Sequence, residues 1–140
     1  MALRFGRTPL IMAARAGDAA AASALLAGPT GAVGTADEHG FTALYHAAMF
    51  GHVEVMRLVL AAGADIGAAD LGGLTPLHIA CEKGHPAAVL CLLEHGADIG
   101  RLDSIGRTPA DWAETKGHAE VLAVLQDWRA SKSAVPTPTS

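Results

Sequence analysis

Residues 70–102 read DLGGLTPLHIACEKGHPAAVLCLLEHGADIGRL, and this stretch decides the fold. Thr75 followed by Pro76 is a helix start: the hydroxyl caps free N–H groups, and Pro stands where its missing N–H costs nothing. A first helix of about two turns follows, carrying small residues such as Ala80 that let another helix approach closely. Gly84 supplies the left-handed residue that ends it. Pro86 fits only near the start of a second helix, whose Val89, Leu90, Leu92 and Leu93 form a wide apolar stripe. Gly96 ends that helix, and Ala97-Asp98-Ile99-Gly100 leads out of the unit.

The same unit recurs on both sides. DEHGFTALYHAAMFGHVEVMRLVLAAGADIGAA begins at Asp37 and DSIGRTPADWAETKGHAEVLAVLQDW at Asp103, so that Asp37, Asp70 and Asp103 stand 33 residues apart, as do Gly51, Gly84 and Gly117. A weaker copy, GRTPLIMAARAGDAAAASALLAG, starts at Gly6, and the step of 34 from Gly6 to Gly40 places one extra residue in the first connection. Thr8-Pro9 and Thr108-Pro109 repeat the helix start, whereas Thr42-Ala43 keeps only the cap. One helix pair cannot bury both of its apolar faces, so stability must come from stacking neighbours in a one-dimensional solenoid.

The unit resembles the ankyrin repeat. The family's T-P-L-H-x-A is present as Thr75, Pro76, Leu77, His78, Ile79 and Ala80, with Gly84-His85 and Leu92, Leu93, Gly96, Ala97 and Asp98 as its companions. The resemblance implies an all-α repeat solenoid of stacked helix-turn-helix units joined by β-hairpin-like loops. The expected domain is residues 1–130, with repeats at about 3–36, 37–69, 70–102 and 103–130, followed by a disordered tail, SKSAVPTPTS, over 131–140. By the same resemblance the His78 imidazole holds neighbouring backbone through hydrogen bonds. Ile11 and Tyr45 take the place of that His in the first two repeats. The last repeat has Ala110, Asp111 and Glu114 where Leu, His and Ala are usual, and Gln126 near its end, the polar substitutions a capping repeat requires. No matching cap is evident at the other end, where Leu10, Ile11 and Met12 are expected to leave apolar surface exposed.

Composition agrees with a packed repeat protein. Half of the 140 residues are hydrophobic (51%) but only 4% are aromatic, so the core must be built from small aliphatic side chains. The formal charge of −4 is not the basic footprint of a nucleic-acid binder. The longest uncharged stretch, Ala19 to Ala36, contains Gly28, Pro29, Gly31 and Gly34 and cannot span a membrane. Arg4, Arg7 and Arg15 precede the first acid, Asp18, a pattern shared with transit peptides, but the repeat accounts for the same residues. Cys81 and Cys91 lie in apolar helical patterns and read as reduced, buried thiols of a cytoplasmic or nuclear protein.

The chemistry-bearing residues yield to structural readings, and no catalytic, cofactor or metal site is expected. His52, His85 and His118 hold the same place in successive repeats, and helices stack about 8–10 Å apart, whereas zinc donors must come within about 2 Å of one ion. Asp37, Asp70 and Asp103 are each a full repeat apart and are expected to organise hairpin turns. Cys81 and Cys91 belong to packing faces, and the scattered glycines belong to turns and helix ends rather than to a phosphate loop.

The resemblance implies a non-catalytic module, a scaffold or adaptor, that binds a partner protein on its concave face through residues the motif leaves free. The row before each Thr reads Arg7, Phe41, Leu74 and Arg107. The first helices end in Arg15, Met49, Glu82 and Thr115, with Ala16, Phe50, Lys83 and Lys116 beside them, and the hairpin tips hold Phe5, His39, Leu71 and Ile105. An exposed cluster of Phe41, Met49, Phe50 and Leu74, rimmed by Arg7, Arg15 and Arg107 and with Lys83 nearby, has the make-up of a hot spot with a polar border. The partner is expected to be a protein, not nucleic acid or membrane, and the chain a monomer. Alternative readings are a regulatory subunit or inhibitor of an enzyme, or a piece of a longer array that docks through the N-terminal face. Trp112 and Trp128 are expected to help close the stack.

Overall fold

The computed structural model describes residues 8–28 and 33–133, with side chains to residue 131. Four helix pairs follow one another: α1 (Pro9–Ala16) and α2 (Ala19–Ala27), α3 (Ala43–Phe50) and α4 (Val53–Ala61), α5 (Pro76–Lys83) and α6 (Pro86–Glu94), α7 (Pro109–Lys116) and α8 (Ala119–Ser133). No strand occurs among the described residues. The segment expected to be a tail from 131 is therefore helical through Ser133, and 134–140 lie outside the described residues.

The helix starts and stops are those the repeat predicts. Thr8, Thr42, Thr75 and Thr108 each accept the backbone N–H three residues on, at 3.1–3.3 Å. Gly17, Gly51, Gly84 and Gly117 close the first helices in the left-handed conformation, with φ between 72° and 78°. The second helices start differently. Asp18 caps α2 through Ala21 N–H at 3.0 Å, whereas His52 and His85, at the same place in the next two pairs, make no cap to their own helices.

Those imidazoles are used between repeats instead. His52 Nε2 reaches the Arg15 carbonyl (3.2 Å), His85 the Met49 carbonyl (2.9 Å) and His118 the Glu82 carbonyl (2.8 Å). Each thus satisfies a carbonyl left free at the end of the preceding first helix, where no further intrahelical donor follows.

First helices pack on first helices, α1 against α3, α3 against α5 and α5 against α7, and second helices form a parallel layer in the same order. The interface is made of small residues: Ala13, Ala14, Ala47, Ala48, Ala80, Cys81 and Ala113 are all buried. Between the layers lie Leu44, Val55, Met56, Val59, Leu77, Val89, Leu92, Leu93, Val121 and Leu125. This is the physical origin of the aromatic-poor composition, because rings would hold the helices apart. Cys81 and Cys91 are buried and free, and burial pushes the Cys81 thiol up to about 12.

The N-terminal face departs from expectation. Leu10 and Ile11 are 2% and 1% exposed, and only Met12, at 54%, faces solvent. The first two join the common core, so they do not form the open apolar face expected there.

Candidate protein-binding face

Between consecutive helix pairs the chain makes a hairpin-like turn anchored by one aspartate. Asp37 Oδ1 accepts the N–H groups of His39 (2.9 Å) and Phe41 (3.0 Å), Asp70 Oδ1 those of Gly72 (2.8 Å) and Leu74 (2.9 Å), and Asp103 Oδ1 those of Ile105 (3.0 Å) and Arg107 (2.9 Å). This is the turn-organising role expected of them. Neighbouring turns are bridged as well: Leu71 N–H donates to the His39 carbonyl (3.4 Å), and Ser104 donates to the Gly72 carbonyl from its N–H (3.0 Å) and its hydroxyl.

The second oxygen of each carboxylate holds the hairpin to a first helix, a feature the sequence reading missed. Asp37 Oδ2 takes His46 Nε2 at 2.9 Å, Asp103 Oδ2 takes the Trp112 indole N–H at 2.8 Å, and Asp70 Oδ2 takes the Tyr45 hydroxyl at 2.8 Å. His46 and Trp112 both stand nine residues after their aspartate, a register visible in the sequence. Ile79 occupies that register in the third repeat, and Tyr45 reaches across from the repeat before. Burial raises the Asp37 and Asp103 carboxyls, but their hydrogen bonds outweigh it and leave both below the ordinary 3.8. Burial, reinforced by the Asp70 carboxylate, pushes the Tyr45 phenol upward.

His78 behaves as the resemblance implies. Its Nδ1 accepts the Thr75 N–H at 3.1 Å and its Nε2 donates to the Arg107 carbonyl at 3.0 Å, which requires the neutral Nε2–H tautomer. Burial lowers its pKa from 6.5, against the opposing pull of the Arg107 carbonyl.

The expected binding residues differ in exposure. Phe41, Met49 and Leu74 are half-buried and pack against the core, so the cluster is less exposed than its sequence positions imply. The reason is Tyr45: Phe41 lies flat on its ring, with centroids 4.3 Å apart and planes at 8°. Phe50 is the exposed member, at 42%, with the Arg15 guanidinium 5.6 Å above its ring. Arg107 lies 5.0 Å over Trp112 and donates to Thr115 Oγ1 at 3.3 Å. Lys83 is exposed at the end of α5. Arg7 and Phe5 lie outside the described residues.

The outer surface carries a shallow groove of about 290 Å³ between α6 and α8, lined by Leu90, Val124, Asp127, Trp128 and Ser131. Half-buried Trp128 packs on the core there, and Trp112 closes the last hairpin. Among the described residues no three His, Cys, Asp or Glu side chains gather as metal ligands, and no helix is long and apolar enough to cross a membrane.

Stacked helix pairs, bridged by histidines and presenting aspartate-anchored hairpins, define the chain as a helical repeat solenoid. The sequence model of one such family, ankyrin repeats in three copies, matches residues 1–70 and again 66–135, and the chain belongs to the ankyrin-repeat family. Ankyrin repeats are generally protein–protein interaction modules and typically non-catalytic. A comparison with curated protein sequences finds no match.

Proposed function

We propose that the chain is a non-catalytic module that engages a partner protein on the concave face made by the hairpins and first helices, as a monomeric adaptor or scaffold. The observation that carries this reading is Phe50. Its ring is 42% exposed at the end of α3, with the Arg15 guanidinium over it and the His52 imidazole beside it. Half-buried Phe41, Met49 and Leu74 extend the apolar surface, and Arg15, Lys83 and Arg107 supply a basic border. The partner is a folded protein or a protein segment that presents apolar groups to the centre and acidic groups to the border. Reduced, buried Cys81 and Cys91 support a cytoplasmic or nuclear location.

The test begins with affinity purification and mass spectrometry to obtain the partner, followed by affinity and melting measurements on Phe50→Ala and Phe41→Ala. Phe50→Ala is expected to lower stability by only about 0.5–2 kcal/mol, because the ring also meets the Arg15 guanidinium and the His52 imidazole, and to weaken binding roughly tenfold or more. Normal partner affinity in Phe50→Ala would show that this face is not the binding surface. Phe41→Ala is expected to lower stability as well, by about 1–3 kcal/mol, because it removes the ring stacked on Tyr45.

A further inference from the structure

The last two hairpins and their first helices each contribute a stripe that follows the stack. One is apolar and lies at the hairpin tips: Leu71 is 81% exposed and Ile105 is 69% exposed. The Ser104 N–H donates to the Gly72 carbonyl at 3.0 Å and so locks these two tips to each other. Nothing in the helix stacking requires either side chain.

The other stripe is basic and lies at the ends of the first helices. Lys83 closes α5 and Lys116 closes α7; both are exposed, and Lys116 Nζ stands 3.9 Å from Glu82 Oε2, which places it beside the end of α5. Exposed Glu114, two residues before Lys116 on α7, is one acid here, and Glu82 is the other. Its side chain is only 20% exposed and forms just that long contact, so it tempers the lysines without cancelling them. Between the stripes stand Leu74 and Arg107, both half-buried.

We propose that the occupant of this part of the face is an amphipathic α-helix of a partner protein, laid along the solenoid axis, with its apolar stripe on Leu71 and Ile105 and acidic residues on the flank facing Lys83 and Lys116. This rests on the concave-face reading above and names the partner's chemistry. Charge and polarity set the two flanks of the ligand, and an α-helix suits the repeat spacing. Adjacent helices of the stack lie about 8–10 Å apart, and seven residues of α-helix rise about 10 Å. A helix along the axis therefore returns the same face to each successive repeat, one heptad per repeat. An apolar residue at one heptad position meets the gap between Leu71 and Ile105, and Glu or Asp at the adjoining position, turned about 100° around the helix, meets Lys83 in one heptad and Lys116 in the next.

The experiment is a selection of random 18-residue peptides displayed on phage against the full chain, followed by fluorescence-polarisation titration of the enriched peptides, made synthetically. Enriched sequences are expected to carry apolar residues at heptad spacing with acids at the adjoining heptad position, and to gain helical circular dichroism on binding. Leu71→Asp with Ile105→Asp, and separately Lys83→Glu with Lys116→Glu, should each weaken them roughly tenfold or more. The Leu71→Asp/Ile105→Asp variant should melt like the parent, since both side chains are exposed, and the lysine variant only slightly lower, since its glutamates meet two helix C-termini and Glu82. Peptides without acidic heptad patterning, no enrichment above the starting library, or binding untouched by either double variant overturns the proposal. Peptides weakened by Phe50→Ala and by neither double variant overturn the helix while leaving the concave-face reading standing; peptides indifferent to all of these substitutions overturn both.

Discussion

Replacing Gly84 by alanine separates two costs that the repeat combines. Gly84 holds φ 78° and therefore sits in the left-handed region, where an L side chain costs about 1–2 kcal/mol. A Cβ there would also stand 2.6 Å from His118 Nδ1 and 2.7 Å from Cε1, far inside contact distance. The ring cannot move away freely, because its Nε2 is bonded to the Glu82 carbonyl at 2.8 Å. Displacing it forfeits that bond, about 1 kcal/mol net, together with local packing, so Gly84→Ala should cost about 2–4 kcal/mol. Gly117 is the control: φ is 73°, yet nothing lies within 4 Å of a Cβ there. Gly117→Ala should show the backbone cost alone, about 1–2 kcal/mol. Urea titrations followed by circular dichroism measure both. The double variant Gly84→Ala/His118→Ala should be less destabilised than the sum of its singles by about 1 kcal/mol, since removing the ring removes the collision. Equal losses in Gly84→Ala and Gly117→Ala, with strict additivity in the double variant, would refute the claim that this glycine is kept to seat the next repeat's histidine.

Other substitutions test the hairpin anchors and the face. Tyr45→Phe keeps the ring under Phe41 and deletes only the donor to Asp70 Oδ2, and is expected to cost about 1–3 kcal/mol in urea unfolding, because a carboxylate oxygen loses its partner. Trp112→Phe does the same to Asp103 and should cost a similar 1–3 kcal/mol or so, with the Asp103 carboxyl titration in NMR moving upward. The lowered pKa of His78 means that the folded state binds its proton less readily than the unfolded chain. Its contribution to stability is therefore complete above about 6.5 and declines as pH falls from there towards the folded value. Asp37 and Asp103, also lowered, add a further loss below about 4. NMR titration of the His78 ring should give a midpoint below 6.5, and a midpoint above it would contradict the neutral tautomer inferred from its bonds.

What the sequence disclosed and what it withheld follow from the range of the interactions. Thr75-Pro76, Gly84 and the 33-residue period report on contacts within one turn of chain or on strict recurrence, and each of these readings holds in the structure. The positions of His52, His85 and His118 were equally visible, but their partners were not, because a backbone carbonyl in the preceding repeat leaves no mark on side-chain identity. Burial of Phe41 depends on the Tyr45 ring beneath it, and a position rule that treats the residue before each Thr as free has no knowledge of its neighbour. The Asp-to-aromatic register could have been found by comparing His46 with Trp112. It was hidden because the third repeat breaks it at Ile79 and borrows Tyr45 from the second.

That borrowing explains how one departure from the family pattern is accommodated. In the third repeat His78 ties the Thr75 turn to the Arg107 carbonyl of the next hairpin. In the second repeat Tyr45 stands at the corresponding position, and its hydroxyl also reaches forward, to the Asp70 carboxylate at the start of the next hairpin. Both residues fasten a first helix to the hairpin that follows it; only the acceptor differs, a carbonyl in one case and a carboxylate in the other. The Tyr ring is longer, so its polar end extends past the backbone to the side chain, and its flat face becomes the seat for Phe41. One substitution therefore preserves the link between repeats and builds an aromatic platform on the face proposed for a partner. Hairpins pinned in this way lose little further freedom on binding, which lowers the entropic cost of recognition. The exposed side chains they carry, Leu71 and Ile105, are held at fixed separation before any partner arrives.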